Sequence, residues 1–346
     1  MRIKKLLEKA ISYNASDLHI SPNLPPMYRI NGHLTARNEL DILTPGETEE
    51  MLSALKKQAL NATPAPELEV DFTYENELGR FRVNIFPQLQ GLAATFRIIS
   101  NTLLSLDRFG LSNQLVKCLD ANEGLLLVTG KACTGKSTTL AAMIEHINIK
   151  HQKHIITLED PIEYVHKSKQ CLITQREIYS HTTSLNSALR ASLRENPDVI
   201  VIGEIRDSDT MQLALRAAET GHLVIATLHT HSTTHCIQRI LDFFKVDERN
   251  QIQQQLADIL LAILCQQLMS INHANRVALF ECLLSNSAIK HLIRENKIAH
   301  IKNVLQTSEQ AGMFTFEQFQ ARYHLTQHVL SDLAPLANTW QAQQIK

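Results

Sequence analysis

The sequence predicts an α/β protein in two parts, a small N-terminal α+β domain and a larger domain around a mostly parallel sheet. Three observations carry this. Phe81, Val83 and Ile85 alternate with Arg80, Arg82 and Asn84, and Ala94, Phe96 and Ile98 alternate with Thr95 and Arg97, the period-two pattern of half-buried strands. Beyond residue 110, short apolar runs alternate with stretches of helical periodicity, the order that builds a parallel sheet with helices on both faces. Finally, Gly130-Lys131-Ala132-Cys133-Thr134-Gly135-Lys136-Ser137-Thr138 fits the pattern G-x-x-x-x-G-K-[ST]. It lies between an apolar run at 125–129 and a helical stretch at 139–147, the strand–loop–helix context that a phosphate loop needs.

Length and composition agree with two domains. The chain has 346 residues, long for one domain, and 44% of them are hydrophobic, enough for two cores. A net charge of −1 argues against a broad nucleic-acid footprint. The six cysteines form no C-x-x-C pair and no disulfide framework. The N-terminus lacks a signal-peptide core, and the longest apolar run, 259–265, is too short to span a bilayer. A cytoplasmic protein with reduced thiols and no direct membrane span is expected.

Residues 1–14 place Ile3, Leu6, Leu7, Ala10 and Ile11 at helical spacing, with Arg2, Lys4, Lys5 and Lys9 elsewhere. Such a basic amphipathic helix can lie on a membrane or pack on its own domain, and packing is the favoured reading. Short strands follow at 17–20 and 27–30, with a turn signal at Asn31-Gly32. A helix is predicted over 44–60, with Thr44 as N-cap and Pro45 in its first turn. Thr63-Pro64-Ala65-Pro66 reads as a loop. The N-terminal domain is thus placed at 1–100, the linker at 101–110, and the second domain at 111–346, with a helical C-terminal part from about 245.

In the second domain the loop's backbone N–H groups would face phosphates from a helix N-terminus. Lys136 would reach the β and γ phosphates of ATP and Ser137 would hold Mg²⁺. A buried strand at 154–158 ends in Glu159-Asp160-Pro161-Ile162-Glu163, and carboxylates past the end of such a strand stand where open α/β sheets bind ligands. One of them could orient or deprotonate water. A third strand, 199–203, ends in Glu204-Ile205-Arg206-Asp207, where an acid suits Mg²⁺ or its water. A helix at 208–220 follows, with Ser208 as N-cap and Gly221 just past its end. His222 and His229 flank a strand at 223–227, and a histidine there can sense a γ-phosphate. With His231 and His235 nearby, zinc is a weak alternative.

Taken together, these boxes resemble those of the type II/IV secretion ATPase superfamily. Residues 130–138 match its Walker A box, 159–163 its aspartate box, 203–207 its atypical Walker B box, and Thr220-Gly221-His222-Leu223-Val224 with Thr227-Leu228-His229-Thr230 its histidine box. Ala15-Ser16-Asp17-Leu18-His19 and Arg80-Phe81-Arg82-Val83-Asn84 look like its N-terminal domain. Within it the chain is similar to the PilT branch, the pilus-retraction ATPases: it is short, lacks a tetracysteine insertion, and carries Ala288-Ile289-Lys290-His291-Leu292-Ile293-Arg294-Glu295, close to that branch's A-I-R-N-L-I-R-E.

The resemblance implies a PAS-like N-terminal domain, a RecA-like ATPase domain with C-terminal helices, and a homohexamer acting on an inner-membrane pilus platform protein. It implies ATP hydrolysis with Mg²⁺, driving pilus retraction and twitching motility. Glu163 would be the catalytic base. Glu204 would support magnesium and water, His222 and His229 would sense the γ-phosphate, and Arg82 and Arg97 would close over ATP. Pilus assembly or type II secretion, a non-hydrolysing regulator, and a nucleic-acid motor remain as alternatives. One departure stands out. The family's loop usually reads G-P-T-G-S-G-K-[ST], and Cys133 replaces a glycine, which is costly if that position needs φ > 0.

Overall fold

The computed structural model describes residues 2–30, 32–36, 41–60, 68–99, 103–270 and 276–325. Asn31 of the expected turn, the Thr63–Pro66 loop and the first two linker residues lie outside them. The chain divides into two compact units. The first comprises Met1–Thr102 together with Glu159–Val165 and Gln175–Ser184, and the second holds the remainder. The N-terminal unit therefore recruits two segments from the middle of the sequence, a departure from the simple boundary at residue 100.

The first unit is a six-stranded sheet with two helices. Helix α1 (Arg2–Ser12) buries Ile3, Leu6, Leu7 and Ala10, the stripe its sequence marks. Those side chains join the unit's hydrophobic core with Leu18, Tyr28, Phe81 and Phe96, so the helix packs on its own domain. Strands β1 (Asp17–Ile20), β2 (Met27–Ile30) and β3 (His33–Ala36) precede helix α2 (Pro45–Leu60). A reciprocal cap starts α2: Thr44 N and Oγ1 donate to Glu47 Oε2, and Glu47 N donates back to Thr44 Oγ1 at 3.3 Å. Then come β4 (Val70–Asn76), β5 (Gly79–Gln88) and β6 (Gly91–Ile99). The sheet order is β3-β2-β1-β6-β5-β4, with antiparallel neighbours. Phe81, Val83 and Ile85 are buried while Arg82 and Arg97 are paired across strands on the other face.

The second unit is built on a seven-stranded sheet. In chain order its elements are α3 (Asn113–Lys117), β7 (Gly124–Thr129), α4 (Lys136–Lys150), β8 (His154–Glu159), β9 (Leu172–Glu177), α5 (Leu185–Ser192), β10 (Val199–Ile202), α6 (Ser208–Glu219), β11 (Leu223–Leu228), α7 (Thr233–Asp242) and α8 (Arg249–Ile259). There follow β12 (Leu260–Ser270), β13 (Arg276–Leu284), α9 (Ser287–Arg294), α10 (Ile301–Thr307) and α11 (Phe316–Leu325). The order is β13-β12-β7-β11-β10-β8-β9, and β12, β7, β11, β10 and β8 run parallel. Every residue of β7, β10 and β11 is buried, as expected of strands covered on both faces.

Two expectations change. The part from about residue 245 is not all helical, because Leu260–Ser270 and Arg276–Leu284 form the antiparallel pair β12 and β13. Residues 259–265 are apolar without a two- or four-residue period, and periodicity cannot tell such a run in a strand from one in a buried helix. The cap of α6 is Asp207, not Ser208, since Asp207 Oδ1 accepts from Thr210 N at 2.8 Å.

Candidate active site

Because five strands are parallel, their C-terminal ends share one edge, and that edge gathers the phosphate loop, His229 and Glu204. β7 delivers Gly130, β11 delivers His229, and β10 delivers Gly203 and Glu204. β11 lies between β7 and β10, so its end is about 5 Å from each of theirs, which places His229 between the loop and Glu204. Side-chain hydroxyls fasten the edge. Thr129 Oγ1 lies 2.6 Å from Thr230 Oγ1 and accepts from Thr230 N at 3.0 Å, which ties the residue before the loop to the residue after His229. Thr227 Oγ1 donates to the carbonyl of Gly203, and Ile205 N donates to the carbonyl of Thr227, on either side of Glu204.

The loop turns sharply. Gly130, Cys133 and Gly135 have φ of 155°, 61° and 88°. A side chain at Gly130 would place its Cβ 2.4 Å from the Gln266 carbonyl, so only glycine fits. Cys133 does occupy a left-handed position, the conformation in which a missing glycine matters, and its side chain is exposed.

Lys136, at the start of α4, is buried. Its Nζ donates to the carbonyls of Gly130 at 2.8 Å and Lys131 at 2.9 Å, and lies 3.3 Å from His229 Nδ1. An ammonium only donates, so Nδ1 accepts and the ring carries its proton on Nε2. His229 Nε2 is 3.0 Å from Glu204 Oε1, and the other Glu204 oxygen accepts from Arg206 at 2.8 Å. Burial alone would raise the Glu204 carboxyl, but the Arg206 hydrogen bond and charge, with His229, outweigh it and hold the group below its ordinary value. Lys136, His229 and Glu204 thus form one chain across the loop, histidine and Walker B positions.

His222 does not join them. It precedes β11, about 20 Å along the strand from His229, where its Nδ1 donates to the Ala217 carbonyl at 3.0 Å and its own carbonyl accepts from Gly124 N. There it closes the turn after α6. His235 accepts from or donates to Ser232, and its ring lies against that of His231, with centroids 4.0 Å apart and planes tilted by 41°. Among the described residues no cluster of three His, Cys, Asp or Glu is arranged to hold a metal.

The remaining predicted residues lie in the first unit. There Glu177, nearly buried, accepts from Ile162 N at 3.0 Å and from Thr73 Oγ1 at 3.1 Å, which fixes the acidic segment beside β4. Arg82 makes a forked pair with Asp71, with Nη2 2.6 Å from Oδ2. The Asp71 hydrogen bonds keep Arg82 firmly charged against burial, and the charges of Asp160 and Glu163 add to them. Arg97 Nε donates to Asp17 Oδ1 at 3.0 Å. Both arginines are therefore held by carboxylates of their own unit. Their partners, Asp17 and Asp71, lie in other strands, so no short-range pattern signals the pairing.

Gln266 escaped the sequence reading. It is buried on β12, and its amide bridges the loop and α4: Nε2 donates to the Thr134 carbonyl at 2.8 Å and Oε1 accepts from Thr139 Oγ1 at 2.7 Å. The only signal was a polar pair, Gln266-Gln267, inside an otherwise apolar strand.

Comparison with known proteins agrees with this geometry. The family model described as "Type II/IV secretion system protein" matches residues 1–329. The chain is 41% identical over 322 residues to the type IV pilus retraction ATPase PilT of Pseudomonas aeruginosa, covering 92% of each chain. It is 44% identical over 295 residues to the twitching motility protein of Neisseria gonorrhoeae, covering 85% of this chain and 79% of that one. A crystal structure of the pilus retraction motor PilT with bound ADP superposes with a TM-score of 0.82 at 38% identity, covering 93% of this chain and 92% of that one. The fold is therefore that of a RecA-like secretion ATPase with its N-terminal domain, and the chain belongs to the type II/IV secretion system protein family.

Proposed function

We propose that this chain is the ATP-hydrolysing motor of type IV pilus retraction, the engine of twitching motility. The observation that carries the catalytic part is the chain from Lys136 through His229 to Glu204 at the carboxyl edge of the sheet. The Gly130 and Lys131 carbonyls and the His229 Nδ1 that Lys136 Nζ contacts are dipoles, weaker partners for an ammonium than a phosphate. ATP would draw the ammonium to its β and γ phosphates and release His229, whose contact with Glu204 reports the change. Retraction is favoured over assembly by the names and close identities of the pilus-retraction and twitching relatives.

The enzyme is an ATPase, and its residues divide the work. The backbone of 130–138 cradles the phosphates, and Ser137 and Glu204 would hold Mg²⁺. Both are hard oxygen donors, Glu204 stays ionised, and the phosphates supply further ligands. Bound magnesium would neutralise charge on the transferring phosphoryl group. Glu163 orients and deprotonates the attacking water, and Arg82 and Arg97 supply positive charge to a neighbouring subunit's nucleotide in a homohexamer. The ring would sit on the cytoplasmic side of the inner membrane against a pilus platform protein. No helix among the described residues is long and apolar enough to cross a membrane.

A non-hydrolysing regulator is the second reading, favoured by Cys133 at its left-handed position. Steady-state ATP turnover of the purified ring, with Lys136→Ala as control and with and without DNA, separates the readings. Turnover that depends on Lys136 and ignores DNA supports a motor. Binding without turnover supports the regulator.

A further inference from the structure

We infer that Gln266 is a positioning residue that clamps the phosphate loop from the neighbouring strand and allows the loop to carry a cysteine, Cys133, at a left-handed backbone position. The inference rests on the loop being the nucleotide site. Gln266 sits on β12, one residue past Cys265, which pairs with Thr129 at the end of β7. Its side chain is directed by unambiguous partners. The Thr134 carbonyl only accepts, so the amide nitrogen must face it, and the amide oxygen is then left for the Thr139 hydroxyl. One buried amide thereby joins the residue after Cys133 to the first turn of the phosphate-loop helix.

Its backbone contributes as well. The Gln266 carbonyl occupies the space that a Gly130 side chain would need, and the amide nitrogen lies 3.0 Å from the Cβ position of Gly135. Gly130 and Gly135, the two glycines of the loop pattern, thus face this single residue. Between them the chain takes φ of 61° at Cys133, a conformation that a residue with a Cβ enters only when its surroundings over-determine it. Thr134 is the next residue, and its carbonyl direction is set by the turn at Cys133. Holding that carbonyl holds the turn. With the clamp removed, cysteine would relax toward negative φ, and the N–H groups that should converge on phosphate would diverge. Glycine at 133 would lose little, because it adopts positive φ without strain.

The test is the affinity for Mg-ADP in the intact ring, measured by calorimetry for wild type, Gln266→Leu, Cys133→Gly and the double variant. Melting of each nucleotide-free protein would be followed in parallel. Gln266→Leu should weaken ADP on the order of tenfold, the scale of a lost buried hydrogen bond. In the Cys133→Gly background the same change should weaken it no more than about threefold, a coupling that general destabilisation would not produce. Thr139→Val, which frees the amide oxygen, should give a smaller loss in the cysteine background and carries the test if Gln266→Leu does not fold. Unchanged affinity in Gln266→Leu, or in Thr139→Val standing in for it, overturns the clamp. So does an equal loss in both backgrounds. If wild type and Lys136→Ala bind ADP equally, it is the nucleotide site that fails, and that result is distinct from either.

Discussion

Lys136 and Arg82 are both cations assigned to phosphate, and the molecule holds them differently. Lys136 Nζ contacts two backbone carbonyls and His229 Nδ1. Arg82 is forked onto a full carboxylate, Asp71, on an adjacent strand. A phosphate outcompetes dipoles easily. It must break an ion pair to take the arginine, although that pair is half-exposed, and pairs of that kind contribute only about 0–1 kcal/mol. The contrast fits a site with one permanent part and one recruited part. The loop's partners lie within its own unit, and Arg97 and Arg82 are held by Asp17 and Asp71 within theirs; under the proposed function the arginines would leave those carboxylates for a nucleotide.

The contrast can be broken most severely at the permanent part. Lys136→Ala should abolish nucleotide binding while leaving the fold intact, because it removes the ammonium that the loop carbonyls hold at the centre of the loop. Equal ADP affinity in mutant and wild type would remove the loop from the site. The recruited part should show itself in rate alone. Arg82→Ala and Arg97→Ala are each expected to slow turnover by about 10³, as loss of an arginine finger does, with ADP affinity and ring size retained. Asp71→Asn sharpens this further: it unparks Arg82 and should leave turnover near the wild-type level. A collapse of turnover in Asp71→Asn equal to that of Arg82→Ala would mean that the pair itself, not the arginine, is what matters. Mixed rings of Arg97→Ala and Lys136→Ala subunits should regain some activity if the arginine acts across a subunit boundary.

Smaller losses are expected of the carboxylates. Glu163→Gln and Glu204→Gln should each keep ADP binding and lower turnover by about 10² or more, the range for removing a catalytic base or its support. In Glu204→Gln the His229 contact persists in shape without its charge, so the two variants should also differ in salt dependence. Near-normal turnover in either would strike that residue from the chemistry.

How far the sequence could be read follows the same division. The loop, its strand and its helix were legible because the determinants are local: a fixed glycine spacing, an apolar run and a helical period all fall within about 25 consecutive residues. The alternation at 80–99 likewise placed Arg82 and Arg97 on the face away from the core. What the sequence did not disclose was partnership at long range. Asp17 lies 80 positions from Arg97, and Gln266 lies 132 from Thr134. The capture of 159–165 and 175–184 by the N-terminal unit was hidden for the same reason, since Glu177 reaches back to Thr73. His222 and His229 looked equivalent as neighbours of one strand, but a strand separates its two ends, and only one end meets the loop. The antiparallel strands 260–270 and 276–284 were hidden because an apolar run without period carries no secondary-structure signature.

The central claim is that ATP turnover in this protein pulls pili in. Deleting the gene and counting surface pili, while watching motility on a surface, tests it most directly. Cells without the protein should carry more surface pili than wild type and fail to twitch, and a Lys136→Ala copy should not restore movement. Cells that lose their pili altogether would contradict retraction and identify the motor as one of assembly.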